Sequence, residues 1–210
     1  MTIRKYSDYG VPVPRPSKLI VLDNDLSIAN HFTAHQHLEP STVSKGSIAQ
    51  SLGISRRLTQ PDSDSNQQMT RVQIDLLQIN YKTRVSDDLS LSLIVAGTLA
   101  IQQRSVLSTR LILSNSGILQ GRDVLPRAHP NDGFVDVLEI DPEISMRQRV
   151  TAWRRSITGS HLPHPRLHVS RAIDFEWSGH PSKMVADGVA YKGVVWLQCT
   201  VIPDAMSIYF

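Results

Sequence analysis

Cysteine is nearly absent from this sequence: one residue, Cys199, stands among 210. A lone thiol cannot make an internal disulfide, so a secreted scaffold held together by cross-links is excluded and a reducing compartment fits best. Cys199 lies in the apolar run Val195-Trp196-Leu197-Gln198-Cys199-Thr200-Val201, where a thiol reads as core and not as nucleophile. An excess of one charge is also lacking. The 22 Lys+Arg against 19 Asp+Glu leave 22 − 19 = +3, spread along the chain, and this gives no footprint for nucleic acid. No long hydrophobic run exists either. The longest, Leu91 to Ile101, is too short to span a bilayer, and Met1 to Pro16 carries charge and prolines where a signal peptide needs an apolar stretch. The expectation is a cytoplasmic protein that touches membranes peripherally at most.

What is present is enough apolar material for a core, with 40% hydrophobic and 20% charged residues. The length allows one ordinary domain plus a fragment of another. After the extended Val11-Pro12-Val13-Pro14-Arg15-Pro16, a strand at Lys18 to Leu22 leads to a helix through about His35, capped by Asp23 or Asn24. A second strand and helix read Ser41 to Gly53, with Gly53 where a helix stops. Residues 59–70 are polar and rich in turn formers and read as a linker. Beyond it the period becomes two, at Val72-x-Ile74-x-Leu76, Leu89-x-Leu91-x-Leu93, Leu111-x-Leu113 and Val135-x-Val137. The pattern predicts an α+β, mostly β protein: a reduced α/β segment over 1–58, a linker over 59–70 and a two-sheet β-sandwich over 71–210. One helix runs from Asp141-Pro142-Glu143 to Thr158-Gly159 within the sandwich.

The passage Leu113-Ser114-Asn115-Ser116-Gly117, continued by Pro126-Arg127-Ala128-His129-Pro130-Asn131-Asp132-Gly133-Phe134-Val135-Asp136-Val137, resembles the second domain of the diacylglycerol kinase-like family of lipid kinases. Val185-Ala186-Asp187-Gly188-Val189 and the closing Val201-Ile202-Pro203-Asp204-Ala205 extend the resemblance, in the same order, over residues 70 to 210. It implies ATP, magnesium and an acylglycerol or other lipid alcohol, and makes the first segment the remnant of a Rossmann-like nucleotide domain. The family's glycine-rich phosphate loop is reduced here to Lys45-Gly46-Ser47, which can also be an ordinary helix start. The glutamate that such kinases use as general base is replaced by Val189, which cannot take a proton. Asp187 survives, as a catalytic candidate or as the first residue of a hairpin turn. By resemblance, Asp132 and the carbonyls of His129 and Phe134 would hold a structural magnesium; the alternative is a loop in which Asp132 accepts backbone hydrogen bonds.

His161, His164 and His168 are separated by prolines and read as a solvated connection. His31, His35 and His37 would complement the dipole at the end of the first helix. Arg147, Arg154 and Arg155 form a solvated helix face or contact anionic lipid headgroups. The sequence therefore points to a lipid kinase-like protein, degenerate in its catalytic parts, that binds a lipid or a small phosphorylated ligand. The alternative is a non-catalytic module that forms a homodimer or pairs with another kinase-like chain.

Overall fold

A computed structural model of the chain describes residues 10–35, 39–54, 68–84, 90–103 and 105–210. His37, Leu89 and the greater part of the expected linker, 59–67, lie outside the described residues. The last residues assigned to the linker, Gln68 to Thr70, already belong to the long strand β4 (Gln68–Thr83), while β1 (Val11–Pro14) lies along the start of it, with Val11 opposite Arg71.

Alternation along β4 serves two cores. Its even residues Val72, Ile74 and Leu76 pack under the helices of the N-terminal segment, whereas the odd residues Leu77, Ile79 and Tyr81 enter the interior of the sandwich. The switch of buried face needs no change of period, because successive side chains already point to opposite sides. The partner strand β13 (Val189–Tyr209) repeats the arrangement, with Leu197, Cys199 and Val201 in the sandwich and, after a register shift, Met206 and Ile208 under the helices. A β-bulge of this kind lets one long strand bend and follow both surfaces.

The sandwich is one sheet folded over itself and not two sheets. Eleven strands are joined by pairing, along the path β1-β4-β13-β12-β6-β7-β10-β11, where β12 is Asp174–Ala186, β6 Thr98–Gln102, β7 Thr109–Ser114, β10 Val135–Ile140 and β11 Leu167–Ala172. The central core takes all its residues from these strands and from β5 (Leu91–Val95). Among the described residues no helix lies over that face, and curling of the sheet buries it. A separate two-stranded sheet, β8 (Ile118–Leu119) with β9 (Arg122–Asp123), stands beside it.

The N-terminal segment is built on the rim of this sheet. Strand β2 (Ile20–Leu22), helix α1 (Asp25–Ala34) and strand β3 (Ser41–Val43) make a parallel strand–helix–strand unit, and β3 pairs with the end of β13. The cap of α1 is Asn24, whose side chain accepts from the Ser27 amide at 3.0 Å. Helix α2 (Ser47–Ser51) follows at once, and Ile28 and Ile48 are fully buried between the two helices and the sheet.

Helix α3 (Met146–Arg155) begins later than the sequence suggested. Ser145 and Gln148 form a capping box that satisfies two amides at once. Asp141 and Glu143 instead form a turn held by Arg166, at 2.7 and 2.8 Å. The connection after α3 is not solvated throughout either: His161 is buried, with Nε2 3.1 Å from the Val124 carbonyl oxygen. His31 is likewise buried and stacked on His35, and burial followed by the His35 charge lowers its pKa. A neutral ring there contributes little to the helix dipole.

Candidate functional site

Two carboxylates from opposite ends of the chain clamp one turn. Asp187 begins the turn between β12 and β13, where it and Gly188 both have positive φ, 44° and 87°, as a tight hairpin turn requires. Its side chain accepts from the amides of Ala96 at 2.7 Å and of Gly97 and Thr98 at 3.0 Å. Asp25, at the start of α1, accepts from the amides of Ser47 at 2.7 Å and Ile48 at 3.0 Å, at the beginning of α2. The β5–β6 turn at Ala96-Gly97 thus sits between the two acids.

The packing there leaves no room for a side chain at two glycines. A Cβ at Gly97 would stand 2.2 Å from Ser47 Oγ and 2.9 Å from Asp25 Oδ2, and one at Gly46, where φ is +103°, would stand 2.5 Å from Asp25 Oδ1. Gly97→Ala should therefore push α2 off the turn and lower stability by about 1–3 kcal/mol. Urea unfolding would detect this, and a variant as stable as the parent would show that the clamp is not tight.

Around the acids runs a set of hydroxyls. Ser116 Oγ donates to Ser47 Oγ at 2.8 Å, Thr98 Oγ1 lies 2.7 Å from Ser114 Oγ, and Thr98 donates to the Ile118 carbonyl at 2.8 Å. Asn115 ties the floor together, its Nδ2 donating to the Asp75 carbonyl at 2.6 Å and to that of Ala96 at 3.2 Å. Burial, reinforced by Asp25, pushes the Asp187 carboxyl up to about 7 against the three amides that pull it down. These groups line a cleft of about 430 Å³ that includes Asp25, Gly46, Ser47, Thr98, Leu119 and Asp187. Among the described residues no lysine or arginine lines it. Leu119 also borders a small apolar cavity of about 50 Å³ under α3, walled by Ile112, Leu138 and Trp153.

A second constellation lies at the Asn131-Asp132-Gly133 loop. Asp132 Oδ1 accepts from the Phe134 amide at 3.1 Å, and its other oxygen pairs with the Arg171 guanidinium, which stacks over the Phe134 ring. Arg171 Nε stands 3.4 Å from Asp136 Oδ1, close enough for attraction, yet neither Asp136 oxygen has a hydrogen bond. Burial pushes the Asp136 carboxyl up to about 7. Nearby, Asp75 accepts from the amides of Gly133 and Asp204, both at 2.8 Å, so the loop and the start of the last bend of β13 share one carboxylate.

The hairpin acid, the Asn-Asp-Gly loop and the closing Pro203-Asp204 bend all fall within the part of the chain that matches a known protein family. The family model described as the YegS C-terminal NAD kinase beta sandwich-like domain covers residues 62–210. The chain belongs to that family. Solved structures agree at the level of fold. One described as a diacylglycerol kinase from Bacillus anthracis str. Sterne aligns with a TM-score of 0.55 and 7% identity, over 90% of this chain and 75% of that one. A candidate diacylglycerol kinase from the same strain aligns with a TM-score of 0.60 and 10% identity, over 90% of this chain and 77% of that one. No curated protein matches the chain by sequence.

In this YegS-type chain the residues singled out from sequence fall in three places. Asp187, Gly46 and Ser47 meet in the cleft, while Lys45 is exposed and does not line it. His129, Asp132 and Phe134 stay together at the Arg171 loop, where His129 Nδ1 accepts from the Asn131 amide at 3.2 Å. Arg147, Arg154 and Arg155 are exposed on α3, away from the cleft lining. Sequence reasoning missed Asp25, Thr98, Ser116 and Asp136. The only signal for Asp25 was an acid beside the cap, one more than the cap needs. Among the described residues no cluster of three or more His, Cys, Asp or Glu side chains could hold a metal, and none of the helices is long and apolar enough to cross a membrane.

Proposed function

We propose that the chain is a degenerate lipid kinase-like protein whose cleft binds a lipid alcohol and whose ATP-dependent phosphoryl transfer is weak or lost. The observation that carries this is the state of the amides at the start of α2. An anion-binding helix start works by aiming free N–H groups at phosphate, and here the amides of Ser47 and Ile48 are engaged by Asp25. Among the described residues of the cleft, a polyphosphate would meet two carboxyl groups and no cationic side chain. Phosphoryl transfer rests on positioning and charge stabilisation, so this arrangement is poor for it.

A hydroxyl suits the cleft better. Asp187 Oδ1 accepts two amides and Oδ2 one, which leaves a position on Oδ2, since a carboxylate offers about four acceptor sites. A group near pH 7 is able to share a proton with an alcohol there. The lipid's chains would run along Leu119 toward the apolar cavity. The Asp132 loop does not fit magnesium as it stands, because the Asp132 carboxylate already faces the Arg171 guanidinium, and we read that guanidinium as the resident cation.

The test uses a short-chain, water-soluble diacylglycerol in calorimetry and in thermal unfolding. Binding of the lipid is expected, weakened at least tenfold in Asp187→Asn, with no rise in Tm from ATP and magnesium and no ADP formed. Lipid-dependent ADP release would overturn the degenerate reading, and absence of lipid binding would overturn the cleft assignment.

A further inference from the structure

We infer that α3 and the 3-10 turn that extends it, Ser156–Thr158, form a docking face for an anionic lipid bilayer. Met146, Val150, Trp153 and Ile157 recur at intervals of four, three and four, which places them in one stripe along the helix. In a helix covering a core such a stripe is buried. Here the core-facing positions are Arg149, Ala152, Trp153 and Ser156, which line the small cavity, so the stripe meets the core at Trp153 and leaves it toward either end. Its two ends are open, with Met146 60% and Ile157 63% exposed.

The charge on the helix itself has one sign, and the acid packed near its end, Asp123 beside Gly159, is half-buried. Arg147 and Arg154 project next to the stripe, Arg155 closes the last turn, and no acidic residue occurs from Ile144 to His161. Arg122 stacks on the Trp153 ring at 4.5 Å and donates to the Trp153 carbonyl at 2.7 Å, adding a further cation at the same edge. Apolar tips flanked by arginines are the composition of a helix that lies in the headgroup region, its side chains entering the acyl boundary while guanidinium groups meet phosphate. A protein partner of ordinary surface would need to supply acids and an apolar groove together, whereas an anionic bilayer supplies both everywhere. The face also roofs the apolar cavity next to Leu119, so a docked protein would hold the cavity against the layer from which a lipid comes. That last step rests on the lipid-binding reading; the docking does not.

Co-sedimentation of the full chain with vesicles tests it. The protein should bind vesicles of phosphatidylcholine with phosphatidylglycerol, release with rising salt, and ignore pure phosphatidylcholine. Arg147→Gln with Arg154→Gln should weaken capture about 25-fold, from about fivefold for each of the two basic residues. Met146→Ser with Ile157→Ser should weaken it several-fold with Tm unchanged, since both side chains are exposed. Equal capture of parent and variants, salt-insensitive binding, or a loss of self-association in the variants instead of a loss of vesicle binding would overturn the proposal. Because the cleft is assayed with soluble lipid, the two readings can fail separately.

Discussion

Asp187→Ala should destabilise the protein by about 3–5 kcal/mol and be the most damaging single substitution in the cleft. The carboxyl is an acceptor for three consecutive backbone amides, those of Ala96, Gly97 and Thr98. Truncation leaves each without its partner, and an unsatisfied buried amide costs about 1–3 kcal/mol. Water entering the adjoining cleft recovers part of that, so the sum falls short of three full penalties. Asp187→Asn keeps one oxygen for two of the amides and sets an NH₂ against the third, and should cost about 1–2 kcal/mol. Urea titrations of the three proteins would order them parent, Asn, Ala in midpoint with equal slopes. If alanine costs less than 1 kcal/mol, the turn is held by the strands alone and Asp187 is free for another role. The same comparison separates structure from binding, because Asn should lose lipid affinity out of proportion to its loss of stability.

The clamp explains which parts of this molecule were legible in the sequence. Strands announced themselves by period two, since each buries one face, and the turns at Asp187-Gly188 and Asn131-Asp132-Gly133 by residues that tolerate positive φ. Cys199 was read as core and is fully buried, its thiol pushed up to about 12 chiefly by burial. Contacts between distant segments left no such mark. Asp25 resembles any acid in the first turn of a helix, and nothing local reveals that it reaches α2 and faces Asp187 across Gly97. The face switch along β4 was invisible for a related reason: the alternation continues unbroken and only the covering layer changes. His161 looked solvated because prolines and histidines are usual in loops, whereas its ring fills the space beside Val124.

Asp136→Asn should stabilise the protein at pH 8 by about 2–4 kcal/mol and leave it nearly unchanged at pH 4. Asp136 is 1% exposed and neither of its oxygens has a hydrogen-bond partner. Burial alone raises its carboxyl to about 7, against about 3.9 in an unfolded chain. The folded state therefore holds this proton where the unfolded state has released it, so the folded state is favoured least at high pH. Stability associated with the group is intact below about pH 4, falls by up to about 1.4 kcal/mol per pH unit as the pH rises toward 7, and is flat above. An amide cannot ionise and has no such slope. Burial lowers the pKa of His31, His129 and His161, which tilts the curve the other way below about pH 6.5, yet these groups are common to both proteins and cancel in the difference. Arg171 would lose a charge 3.4 Å away but keep Asp132, and its exposure screens what is lost. Urea midpoints at pH 4, 6 and 8 would decide it. A gap that does not widen with pH would mean that Arg171 already neutralises Asp136 in full, and the cationic role assigned to that guanidinium would then extend over both acids of the loop.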